Sequence, residues 1–121
     1  MTEVSSNAEV SQLLVSVQSA VAESRLTQNA ATNLTQWLTE PKYEAYRGGV
    51  IEAVRNEEWQ TLDDVFWTII PFGTGGRRGK MHPFGSNAIN HRTIGESAQG
   101  LADYVKTFKP DGPWACAIGY D

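Results

Sequence analysis

The stretch Ile69-Ile70-Pro71-Phe72-Gly73-Thr74-Gly75-Gly76-Arg77-Arg78-Gly79-Lys80 decides how this chain is read: an apolar run breaks at a proline into a glycine-rich loop carrying three cations. Closely spaced glycines let backbone N–H groups converge, and beside guanidinium and ammonium groups they form a seat for a phosphate or another anion. Phosphate chemistry is the expectation. A P-loop requires Gly five residues ahead of the glycine in its Gly-Lys pair and Ser or Thr after the lysine; here Thr74 and Met81 hold those places. The dinucleotide fingerprint started at Gly73 finds Gly75 in register but Arg78 where its third glycine should stand.

Working outward, Val65-Phe66-Trp67-Thr68-Ile69-Ile70 is β-branched and aromatic and is bounded by Pro71, the pattern of a strand that feeds a loop. Downstream, Thr93 is placed to cap a helix, with Glu96 three residues on completing a capping box. Ile94, Ala98, Leu101, Val105 and Phe108 form its apolar stripe, expected to be buried, and Pro110, Gly112 and Pro113 end it. Trp114 to Ile118 reads as a second strand, so the order is strand, loop, helix, strand, the start of an α/β layer.

The N-terminal part reads differently. Val10, Leu13, Leu14, Val17 and Val21 recur at helical spacing after a possible Asn7 cap. Leu34, Trp37 and Leu38 suggest a second helix; Tyr43, Tyr46, Val50 and Val54 suggest a third that Pro41 starts, although Gly48-Gly49 weakens it. The composition changes near Glu57, which divides the chain into a helical extension over 1–58 and an α/β segment over 59–121.

The glycine loop resembles the Phe-Gly-Thr-Ser-Gly-x-Arg-Gly signature near the start of the first domain of the alpha-D-phosphohexomutases, the phosphoglucomutase and phosphomannomutase family. Phe72-Gly73-Thr74, Gly76, Arg78 and Gly79 match it position by position, with Gly75 where Ser is usual. The resemblance continues through Asn87-Ala88-Ile89-Asn90, Arg92-Thr93-Ile94-Gly95-Glu96 and a helix. It ends at Ala115-Cys116-Ala117-Ile118-Gly119-Tyr120-Asp121, which is similar to the family's second strand and the opening of its Gly-x-Asp-x-Arg turn, and so covers about residues 64–121.

The resemblance implies an isomerase that moves a phosphoryl group reversibly between C1 and C6 of a hexose through a phosphorylated serine, in carbohydrate metabolism. It places Arg78 in the active-site cleft as the catalytic arginine, Thr74 beside it with a hydroxyl, and Gly73, Gly75 and Gly76 shaping the backbone around substrate. Arg77, where the family commonly has an apolar residue, and Lys80 are the further candidate substrate-binding groups. It also implies Mg²⁺ and glucose 1,6-bisphosphate as cofactors, and hexose phosphate and the remaining mutase domains as partners. The family's Thr-Ala-Ser-His-Asn loop and its Asp-Gly-Asp-x-Asp-Arg metal loop do not occur in this sequence. A chain without nucleophile or metal ligands is expected not to turn over by itself, so it reads as the opening fragment of a mutase. The alternative is a short non-catalytic module that binds sugar phosphates or regulates a mutase.

Bulk properties narrow the field further. The 121 residues suit one domain, and 40% hydrophobic with 20% charged residues is ordinary for a soluble protein. A net charge of −4 argues against nucleic acid as partner. No apolar run reaches the length of a membrane span and Met1 to Asn7 lack a basic leader, so a cytoplasmic protein is expected. Cys116 is the only cysteine and is expected to pack in the second strand. His82 and His91 lie nine residues apart with no third ligand at a recognised spacing and are read as loop histidines. Asp63-Asp64 is read as an exposed pair, and Trp37, Trp59, Trp67 and Trp114 as packing residues. With no later strands to cover its edge, the isolated polypeptide is expected to be partly ordered or to self-associate.

Overall fold

The structure, a computed structural model, describes residues 2–73 and 76–119, with side chains from residue 8 on. Its order is α1 (Thr2–Ala22), α2 (Gln28–Thr39), a 3₁₀ turn (Pro41–Tyr46), α3 (Arg47–Arg55), α4 (Trp59–Phe66), a hairpin of β1 (Phe72–Gly73) and β2 (Gly76–Arg77), and α5 (His91–Phe108). The architecture is thus mainly helical with one small antiparallel sheet.

The periodicities of the first half become buried faces. Leu13, Val17 and Ala20 of α1, Leu34, Trp37 and Leu38 of α2, and Val50, Ala53 and Val54 of α3 share one core. Asn7 does not cap α1, which begins at Thr2 and places Asn7 within the helix. Pro41 starts the 3₁₀ turn, and the two glycines lie inside α3. Arg47 secures the joint: its Nε donates to Trp37 O at 3.2 Å and its Nη2 to Glu40 O at 2.6 Å, satisfying carbonyls that the end of α2 leaves open.

The strand expected over residues 65–70 is not formed. Val65 and Phe66 close α4, and the chain then bends at Trp67 and Thr68. Trp59, Leu62, Val65 and Phe66 recur at helical spacing and are buried against α1–α3, so burial on one helical face outweighs β propensity. The composition change near Glu57 falls in the turn between α3 and α4, and the same core continues on both sides of it. Asp63 ties the second half to the first: its Oδ1 accepts from both the N–H and the hydroxyl of Thr27, the N-cap of α2, at 2.8 Å each.

The end of α4 is held by α2 and by the segment that follows the hairpin. Phe66 O accepts from Asn33 Nδ2 at 2.7 Å, Val65 O from Asn87 N at 2.8 Å and Asp64 O from Asn87 Nδ2 at 3.0 Å. Thr68 O accepts from Ser86 Oγ, and Ser86 O accepts from Ile70 N, each at 2.8 Å. These bonds satisfy orphan carbonyls of the helix terminus and seat Phe84 and Ala88 in the core.

Further expectations are corrected in the C-terminal part. The α5 cap is Asn90 rather than Thr93: Asn90 Oδ1 accepts from Thr93 N at 3.0 Å, and Thr93 Oγ1 accepts from Asn90 N at 3.0 Å, a reciprocal box that frees Glu96 for other work. The apolar stripe of α5 is not buried among the described residues: Ile94, Leu101 and Phe108 are exposed. The second strand expected over residues 114–118 makes no ladder among the described residues, and Cys116 is exposed rather than packed. Trp37 and Trp59 are core residues as expected, whereas Trp67 and Trp114 are about half exposed.

Candidate functional site

The hairpin that carries the cations is short. Phe72 opposes Arg77 and Gly73 opposes Gly76 across the ladder. Gly76 has φ 109°, a left-handed value that glycine adopts without the Cβ penalty of other residues. Thr74 and Gly75, at the tip, lie outside the described residues, as do Tyr120 and Asp121 of the expected Gly-x-Asp turn. Beyond the ladder, Gly79 passes so close to Ile70 that a Cβ there would lie 2.8 Å from Ile70 Cδ1; Ile70 is buried, so the chain carrying Arg78 and Lys80 is held against the body of the protein. The backbone on either side of Met81 is pinned as well: Lys80 O accepts from Ile89 N at 2.8 Å and Ile89 O from His82 N at 3.2 Å.

The three cations fall into two classes. The Arg77 side chain is only 17% exposed and points into the protein. Its Nη1 donates to Thr93 O at 3.1 Å and lies 3.8 Å from Glu96 Oε1, while its guanidinium stands 5.3 Å from the centre of the Phe72 ring across the ladder. Its Nε is buried with no hydrogen-bond partner among the described residues. Arg78 and Lys80 are exposed, and neither side chain has a hydrogen-bonding or ionic partner among the described residues.

Glu96 is shared. Its Oε2 accepts from Arg92 Nε at 3.1 Å, a helical i,i+4 pair, while Oε1 faces Arg77. Arg92 in turn lies over the Tyr43 ring at 5.2 Å, and Tyr43 stacks on Trp37 at 4.6 Å between ring centres. Sequence reasoning placed none of Tyr43, Arg92 and Glu96 at the site; the Arg92–Glu96 spacing was the one readable signal.

The other candidates take structural places. His82 Nδ1 lies 3.0 Å from Phe84 O, and its ring meets Phe84 edge-on at 4.5 Å; His91 opens α5. A cavity of about 580 Å³ behind the loop is lined by Tyr46, Met81, His82, Phe84, Ile89 and His91 among others, but by neither Arg78 nor Lys80. Among the described residues no group of three or more His, Cys, Asp or Glu side chains is placed to hold a metal ion. Among the described residues the exposed charged groups beside the hairpin are the cations Arg78 and Lys80, which suit an anion and do not fit Mg²⁺. Among the described residues no helix is long and apolar enough to cross a membrane. Comparison with protein-family models, with curated proteins and with solved structures gives no match, so the phosphohexomutase resemblance rests on the residues of this chain alone.

Proposed function

We propose that this chain is the opening part of a phosphohexomutase and that its hairpin grips a phosphoryl group of a hexose phosphate. The observation that carries the reading is the division of labour among the three cations: Arg77 is spent inside the protein, whereas Arg78 presents its fork of donors unpaired, at the position the family signature assigns to the active-site arginine. A planar guanidinium can give two parallel charge-assisted hydrogen bonds to phosphoryl oxygens, and Lys80 adds a point charge two residues on. Gly76, beside which a Cβ would meet open space, leaves backbone accessible near the same oxygens.

The chain's own contribution is binding and orientation. In the family reaction, the phosphoserine and the Mg²⁺ ligands come from other segments, and the residues described here supply neither. Neutralising and orienting a phosphoryl group is nonetheless a large part of phosphoryl-transfer catalysis, so an arginine held in place on a pinned loop has a defined task. A cytoplasmic location and association with the remaining mutase domains belong to this reading.

Titration calorimetry with glucose 1,6-bisphosphate tests it. Arg78→Ala should weaken binding by about 10- to 100-fold, the worth of a charge-assisted hydrogen-bonded contact. Lys80→Ala should weaken it less. Unchanged affinity in Arg78→Ala, or no binding by the natural protein, would overturn the reading.

A further inference from the structure

We propose that Arg77 is a positioning residue, and that through Glu96 and Arg92 it makes the helical unit of residues 8–66 set the orientation in which Arg78 meets its ligand. The proposal rests on the phosphate-binding reading of Arg78 and adds what neither the family signature nor the loop sequence suggests. Where an apolar residue would be ordinary, this chain buries most of an arginine.

Burying a guanidinium is costly unless its donors are used, and two of the uses made here tie the hairpin to α5 while the third stays within the hairpin. Nη1 bonds the first turn of α5 at Thr93 O, the charge faces Glu96, and the ring of Phe72 lies beside it across the ladder. Glu96 is a branch point, because its second oxygen accepts from Arg92. Arg92 reaches out of α5 to the face of Tyr43, which is buried and stacked on the fully packed Trp37. A continuous chain of contacts therefore runs from Trp37 and Tyr43 through Arg92 and Glu96 to Arg77, and ends one residue short of Arg78.

The consequence is geometric. A two-residue ladder has little rigidity of its own, since so short a hairpin is marginal in water. An inward anchor at Arg77 fixes which way the next side chain faces, and Gly79 against Ile70 fixes the other side. Without the anchor the loop would sample other orientations, and binding would have to bear the entropy of ordering it. Arg77 thus acts through Arg78 rather than on the ligand.

A double-mutant cycle on the full chain separates the possibilities. Binding of glucose 1,6-bisphosphate is titrated in Arg77→Met, Arg78→Ala and the double variant, with amide spectra of Gly73, Gly76 and Gly79 recorded in parallel. The expected result is about a 10-fold loss for Arg77→Met alone and no further loss in the Arg78→Ala background. Arg92→Met, remote from the ligand, should also shift the three glycine amides and weaken binding severalfold. Additive losses for Arg77 and Arg78 would mean direct ligand contact and overturn the proposal, as would glycine amides unmoved by Arg92→Met. If the natural protein binds no bisphosphate, the mutase reading fails. In that event the glycine amides decide between a network that reaches the loop and one that does not.

Discussion

Leu34 and Phe66 are wholly buried, while Leu101 and Phe108 on α5 are 52% and 77% exposed, although all four sit on the apolar face of an amphipathic helix. The first pair belongs to helices whose faces meet one another around Trp37. The second belongs to a helix tied down at its first turn by Asn90, Thr93, Arg92 and Glu96. The difference shows that an apolar stripe states that a face seeks cover without stating which element supplies it. It also shows where order in this protein comes from: the candidate loop lies at the border of the two regions and is braced from the packed one.

Hydrogen exchange offers the widest contrast between the regions. Amides of α2 and α4 should exchange at least about 10³-fold more slowly than those of α5 beyond Ala102, because opening the former requires losing the core. Equal protection would show that the α5 stripe is covered in solution.

Stability measurements by urea denaturation sharpen the same contrast. Trp37→Ala should cost about 3–5 kcal/mol, since it empties the site on which Tyr43, Tyr46 and Phe66 all pack. Asn90→Ala should cost about 1–2 kcal/mol, from loss of the α5 cap and of the bond from its Nδ2 to Gly85 O. Leu101→Ala should change stability by no more than about 0.5 kcal/mol, as expected for an exposed position. A loss of core size at Leu101 would erase the distinction between the two regions.

The α1, α2 and α3 faces were legible because their apolar residues recur at a period that matches the helix, although Pro41, expected to start the third helix, opens the 3₁₀ turn ahead of α3 instead. The α4 pattern was equally present in Trp59, Leu62, Val65 and Phe66, but the β-branched and aromatic run up to Ile70 obscured it. Only the packing shows Phe66 closing a helix and Ile70 filling a separate place beneath Gly79. Asn90, rather than Thr93, caps α5 because the hydrogen bond of Asn90 Nδ2 to Gly85 O ties that residue to the preceding loop, a contact that no spacing rule includes.

The sequence by itself determined the glycine-rich cationic loop, its likeness to the phosphohexomutase signature and the helical character of the first half, because these depend on residue type and local period. Only the tertiary structure decided how the three cations differ. Adjacent arginines are chemically identical, and their roles separate when the fold surrounds Arg77 with Thr93 O, Glu96 and Phe72 and leaves Arg78 in solvent.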